Sequence, residues 1–309
     1  MAALSSLSAS GCVLVAALGL APLVHAVPIV RTDAGQNAAA IQATVDAFRA
    51  DLGALNNNGV CSGACIPGVG RREVNWDGVP DAFASGGANP FPGNFFNLDG
   101  AQAAGRVRGI QFTSTGQFEV SANAGNPTAT AVLFGNHNAD NANQFAAFSA
   151  QRIFGLVGTH TLDVSFSVPG SPGTPARVRG FGAVFTDAEI AGLTSLEFFD
   201  GEGNLLFDLD SAVFPIPVGA NDTTKSFAFA GVSFDTAVVS RVRITAGDLD
   251  LNRLAFGAGL DIVAMDDFIF GEPIAAANGV PEPGSLALGG AALLAALGLR
   301  RRRGAAVAS

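Results

Sequence analysis

From Arg106 to Phe270 the chain sustains no helical apolar period, and that feature narrows the fold more than any other. Short β-branched and Phe-rich runs alternate there with clusters of Gly, Pro, Asn and Asp. Thr161 to Val168, Val178 to Phe185, Ser226 to Phe234, Val238 to Thr245 and Ile262 to Phe270 have the length and residue types of strands. Ser171-Pro172-Gly173-Thr174-Pro175 reads as a loop between two of them. Parallel strands need crossover helices, and the region offers none. The expected fold is mainly β, an antiparallel β-sandwich of jelly-roll type.

One good helix precedes this region. Within Ala38 to Leu52, the residues Ile41, Val45, Phe48 and Leu52 form a single apolar stripe, with Asp46, Arg49 and Asp51 on the other sides. This helix is expected across a sheet edge or end. The Asn56-Asn57-Asn58-Gly59 run stops it.

Both ends of the chain read as addresses. Residues 1–26 have the form of a secretory signal, with an apolar run from Val13 to Leu20 and small residues at Val24-His25-Ala26. Their n-region carries no Lys or Arg. At the other end, Val280-Pro281-Glu282-Pro283-Gly284 is held extended by its two proline rings. The uncharged run Leu286 to Leu299 follows, then Arg300, Arg301, Arg302 and Arg303. As a helix the run spans about 20 Å, short of the roughly 30 Å hydrocarbon core, so it is a short transmembrane helix that crosses only with thinning or snorkelling. The arginines stop transfer and stay in the cytoplasm.

A Pro-Glu-Pro triplet, a short apolar helix and a terminal Arg cluster, in a chain that opens with a signal peptide, resemble the PEP-CTERM sorting signal. That resemblance covers about Val280 to Arg303. It implies export from a Gram-negative cell, a transient inner-membrane anchor and cleavage near Pro281–Pro283 by an exosortase-type transpeptidase. It also implies a destination at the cell surface or outside the cell, in association with extracellular polysaccharide. Glu282 is then a recognition residue of a substrate. The expected organisation is a signal peptide (1–26), an N-terminal helical segment (27–60), a β-sandwich domain (61–276) and a sorting tail (277–309).

Charge agrees with that destination. Loss of the tail arginines leaves 13 basic residues against 26 acidic ones, with Glu282 retained. So acidic a body argues against nucleic acid as a partner and is compatible with cations such as Ca²⁺. With 24 Phe and no Tyr, phenylalanine must supply most of the aromatic core.

Candidate sites are sparse. Cys61 and Cys65, four apart in an exported chain, are expected to form a disulfide; a redox or metal site would need a second ligand pair nearby. The stretch Arg71 to Asp81 holds the single tryptophan, and Trp76, Asp77 and Asp81 form the candidate ligand surface. This stretch, with Arg179 to Asp187 and Met265 to Pro273, resembles a group of secreted bacterial proteins over most of the mature body. The resemblance bears on domain extent and not on activity.

Three Arg-Val-Arg triplets recur, at 106–108, 177–179 and 241–243. On a strand each pair of arginines would share one face and the valine would enter the core. The arginines then form either a solvated face or a basic row that pairs with acids or an anionic sugar. Asp266 and Asp267 are weak metal candidates, because adjacent strand residues point to opposite faces. A carboxylate among apolar neighbours needs a cation or donors, and Arg241, Arg243 or Ca²⁺ would serve. Asp200 to Asn204 and Asp248 to Asn252 mimic calcium loops but lack the glycine at position 6, so they read as Asx-capped turns.

No Gly-x-Ser-x-Gly elbow and no His-Glu-x-x-His occur, and His137 sits in a polar loop. The expected function is a non-catalytic binding or matrix-structural module, with no catalytic residues and no resident cofactor. The alternatives are a polysaccharide hydrolase drawing on Glu73, Asp77 and Asp81, and a Ca²⁺-stabilised adhesive domain.

Overall fold

The structure is a computed structural model of the chain, and it describes residues 27–56, 68–210, 214–216, 225–252 and 260–276. The signal peptide, Cys61 and Cys65, and the sorting residues Val280 to Arg303 lie outside the described residues. The chain is mainly β. Its strands are β1 Ile29–Gly35, β2 Arg71–Val74, β3 Ile110–Thr113, β4 Gln117–Val120, β5 Phe154–Val157, β6 Thr161–Val168 and β7 Ser171–Arg177. They continue with β8 Gly180–Thr186, β9 Ser195–Phe199, β10 Leu205–Leu209, β11 Phe227–Ser233, β12 Arg241–Thr245, β13 Ala264–Gly271 and β14 Ile274–Ala275. Two α-helices, α1 Ala38–Leu52 and α2 Asn141–Gln144, and two 3-10 turns, Asp81–Phe83 and Ala104–Arg106, accompany them among the described residues.

The strands form two sheets of seven. One has the order β1-β11-β8-β13-β5-β4, with β2 also on β13; the other is β10-β9-β12-β6-β7-β14, with β3 also on β6. Every pair of these strands is antiparallel. The sheets share one core, largely of phenylalanine. Phe154, Phe181, Phe185 and Phe268 of the first sheet join Phe112, Phe166 and Phe198 of the second in a single buried cluster. Ring contacts at 5.6 Å (Phe166–Phe270) and 5.8 Å (Phe112–Phe268) stitch the two sheets together.

Helix α1 packs at the β1 end of the first sheet, as expected, and reaches inward from that edge. It covers the outer face of the first sheet, where Ile41, Val45, Phe48 and Leu52 bury against Val184, Phe227, Phe229 and Ile269. The sheet makes room for it with two glycines. Gly182 and Gly231 are cross-strand partners, and a Cβ on either would come within 3 Å of the Phe48 ring. Asn37 caps the helix by accepting from Ala40 N–H, and Gly53, at φ 101°, ends it. β1 pairs with β11 over seven residues, and Arg31–Asp51 and Thr44–Asp33 contacts tie it to α1. The segment 27–56 thus completes the first sheet and is not a helical unit beside it.

Ser171 to Pro175 differs from its expected loop as well. It lies in β7, with its residues exposed and its register to β6 irregular. Prolines are tolerated there because the pairing is broken and needs few of their missing N–H groups.

Candidate functional site

Trp76 is not a ligand platform. Only 1% of it is exposed, and its indole stacks on Phe154 with centroids 4.2 Å apart. Phe91, Phe96, Phe112 and Phe268 surround it. To reach this position its backbone takes φ 64°, with Asp77 N–H bonded to Asn75 C=O at 2.8 Å. That is a γ-turn of the rare positive-φ kind, a cost that burying the largest aromatic side chain offsets.

The tryptophan also closes a break in the opposite strand. Along β13, Met265 faces Phe185 but Phe268 faces Ala183, so Asp266 and Asp267 together oppose one residue of β8. This is a β-bulge, and it leaves backbone groups outside the ladder. Trp76 Nε1 donates to the Asp266 carbonyl at 3.1 Å. The bulge also overturns the strand-parity reading of the two aspartates. Met265, Phe268 and Phe270 face the shared core and Ile269 faces α1. Asp266 and Asp267 both interact with Ser149, so they stand on the same side.

Their charges are met by groups other than Arg241 and Arg243. Asp266, with none of its surface exposed, accepts from Phe148 N–H at 2.6 Å and Ser149 N–H at 3.1 Å. Burial, with Asp267 beside it, pushes its pKa well up. Asp267 pairs with Arg49 of α1 at 2.8 Å, and Arg49 also reaches Glu73. Burial raises Asp267 too. Asp77 accepts from Arg152 N–H at 3.0 Å and is likewise raised by burial. This acidic core is thus held by backbone N–H groups and Arg49, an arrangement that fastens α1 to the bulge. A second tie is deeper: Arg72 and Glu272 meet in a two-pronged pair at 2.8 and 2.9 Å, both fully enclosed.

Of the predicted ligand surface, Asp81 lines a cavity. That cavity, about 350 Å³, is bounded by Asp81, Ser85, Asn126, Thr128 and Arg152 over a floor of Gly and Ala. Gly86, at φ 77°, lets the loop pass Thr130, where a Cβ would collide. Arg152 is 2% exposed; its guanidinium bonds Asp81 and the Ser121 carbonyl. Behind the cavity, the Ser85 hydroxyl bonds Glu119, Glu119 bonds His137 Nε2 at 2.7 Å, and His137 Nδ1 meets Asn252 at 3.1 Å. The carboxylate stands between the hydroxyl and the imidazole, an order different from a Ser-His-acid triad, in which the histidine bonds the serine. The interactions with Glu119 raise the His137 pKa. Burial pushes Glu119 up, and its bonds to His137 and Ser85 outweigh this to leave its pKa lowered. A second cavity, about 340 Å³, holds the Asp163–Arg243 pair. Each cavity has one lining carboxylate.

The arginine triplets divide. Val107, Val178 and Val242 are all buried, as the spacing predicts. Only Arg241 and Arg243 extend along one strand face, and both bond Asp163. Arg106 lies 4.0 Å over the Phe95 ring, and Arg177 pairs with Glu202. Arg108 is pulled down to about 10 by burial and by Arg72. The triplets form no common basic row. In the two calcium-like loops, Asp200 accepts from the N–H of Glu202 and Asn204, and Asp250 from that of Asn252, as capped turns do. Sequence reading did not group Asp187, Glu189 and Asp261. The fold brings one oxygen of each within 4.8 Å of the others. Asp187 and Glu189 follow β8 and Asp261 precedes β13, and the antiparallel pairing of these two strands in the first sheet brings together residues far apart in the chain.

Residues 279–303 match the PEP-CTERM protein-sorting motif. The motif marks an exported protein whose C-terminal sorting signal an exosortase processes. Comparison with curated proteins gives no significant match. Among solved structures, 59% of this chain aligns with 20% of the enzymatically active domain of bacteriophage CBA120 tailspike protein 4. The identity is 13% and the TM-score 0.25, a likeness too slight to carry an inference.

Proposed function

We propose that this is a surface-sorted passenger: a β-sandwich held briefly in the inner membrane by its tail, then cut near Pro281–Pro283 and released to the cell surface or beyond. There it acts as a non-catalytic binding or matrix-structural module associated with extracellular polysaccharide. The single observation that carries the sorting part is the motif at residues 279–303. The binding part rests on the Asp81–Arg152 cavity. Its volume is at the lower end of ligand sites, and its hydroxyl, amide and charged groups converge over a small-residue floor.

The test of sorting is the mass of the protein recovered from its host. Cells with the exosortase should yield a chain lacking Arg300 to Arg303, and cells without it the uncut chain in the membrane fraction. An uncut chain in both sinks the sorting reading. For binding, Asp81→Asn, which keeps an oxygen for the enclosed Arg152 guanidinium, should sharply reduce retention on the host's own exopolysaccharide while the protein still melts in one transition. The hydrolase reading draws less support, since each of the two cavities is lined by a single carboxylate and glycoside hydrolysis uses two. The calcium reading is tested by melting with and without EGTA; an unmoved midpoint removes it.

A further inference from the structure

We infer that β1 is a docking edge for a second copy of this chain, pairing antiparallel about a two-fold axis through Thr32. The inference goes beyond the sorting reading and rests on it only for removal of the residues before Val27.

Sheet edges invite further strands, and folded proteins usually blunt them. Six strands have one strand neighbour among the described residues, and β1 is the longest of them; β2, β3 and β4 are four residues each. β4 is bridged from outside by Phe91 at Phe118. β10 has a register break between Leu205 and Phe207 and carries Asp208. β14 is two residues long. β1 carries charge too, in Arg31 and Asp33, but its seven residues pair with β11 in unbroken register, and β11 is its one strand neighbour among the described residues. Val27, Ile29 and Val30, at its start, are 76%, 48% and 40% exposed.

The strand's own sequence selects the occupant. Ala34 N–H bonds Asp33 Oδ1 at 2.9 Å, which turns it away from β11. Backbone groups alternate along a strand, so Val30 and Thr32 turn outward as well. Two copies meeting with Thr32 opposite Thr32 set Val30 against Ala34 and Arg31 against Asp33. The opposite charges then lie across from each other twice, beside the Arg31–Asp51 and Thr44–Asp33 contacts that each copy keeps within itself. Sliding by one pair either way sets Arg31 against Arg31 or Asp33 against Asp33, which repels. A different protein would need a matching pattern; a second copy carries it already. The contact is isologous and joins two seven-stranded sheets into one of fourteen.

Sedimentation of the processed protein over a concentration series is the test. The expected result is an apparent mass near twice that of one chain, falling to one chain on dilution. Thr32→Pro removes one outward N–H that β11 does not use, and Val30→Lys adds an edge charge. Both should sediment as monomers with melting temperatures within a few degrees of wild type. A wild-type protein that stays monomeric at its highest soluble concentration overturns the inference, as does a dimer that a folded Thr32→Pro or Val30→Lys variant leaves intact. An uncut chain that still dimerises sinks the sorting reading alone; a cut chain that does not dimerise sinks this inference alone.

Discussion

At the scale of single residues, polar and aromatic character proved a poor guide to exposure. Trp76 stands in a stretch dense in polar and aromatic residues, yet five phenylalanine rings pack around it in the core, and it contributes there in two ways. It fills volume between the sheets, and its N–H satisfies a carbonyl that the bulge at Asp266 leaves outside the ladder. Removing it takes away both, so Trp76→Ala should cost about 3–5 kcal/mol in urea unfolding, a folding defect and not a binding defect. A variant with wild-type stability that had lost polysaccharide retention would reverse this assignment. Asp266 gives the complementary case. Its pKa is raised by burial, so the folded state binds its proton more tightly than the unfolded state does. Such an acid favours folding most at low pH, and that advantage is lost as pH rises through the range between its unfolded and folded values. Asn in its place keeps an oxygen for Phe148 and Ser149 N–H and carries no charge. Asp266→Asn should therefore melt above wild type at pH 8, by a margin that shrinks toward pH 4. Lower stability than wild type at pH 8 would show that the buried charge is needed. Neither residue's role was readable beforehand, because strand parity holds only until a bulge breaks it.

Single elements were more legible where one periodicity governed them. The apolar stripe of α1 and the run Thr161–Val168 match their elements end to end, since both patterns come from a face repeating along a regular backbone. β7 was hidden because its exposed Ser-Pro-Gly-Thr-Pro residues carry no such pattern. The loop around His137 was also opaque: its partner Glu119 lies on β4, and no local signal joins them. That pair makes a prediction about pH. Protonated His137 is favoured by Glu119, so its contribution is complete below the ordinary histidine pKa of about 6.5 and fades as pH rises through the raised folded value. Ionised Glu119 is favoured in turn, so its contribution is complete above the ordinary carboxylate value of about 4.3 and fades as pH falls through the lowered one. Both are fully present between about pH 4.3 and 6.5. The melting difference between wild type and His137→Gln should be greatest in that window and narrow on either side. A difference that does not change with pH would mean that the pair is a neutral hydrogen bond.

For the whole molecule, composition and turn spacing gave the class, two antiparallel sheets with a phenylalanine core, but not which strands meet. β1 pairs with β11, and β2 with β13, each across most of the chain. Such long-range pairing leaves no mark in a local pattern, which is why 27–60 read as a segment separate from the β region. The sheet shows otherwise, and the consequence is measurable. Residues 27–52 supply the whole of β1 and the four α1 side chains that cover Val184, Phe227, Phe229 and Ile269. Burying each of those four is worth about 1.5–3 kcal/mol. Together they rival the roughly 5–15 kcal/mol by which domains of this kind are stable. Arg49 would go as well, leaving Asp267 enclosed without its cation. A chain lacking residues 27–52 should therefore fail to melt cooperatively and be digested by protease at low dose. If instead it melts in one transition within a few degrees of the intact protein, the segment is an appendage and the first sheet is complete without it.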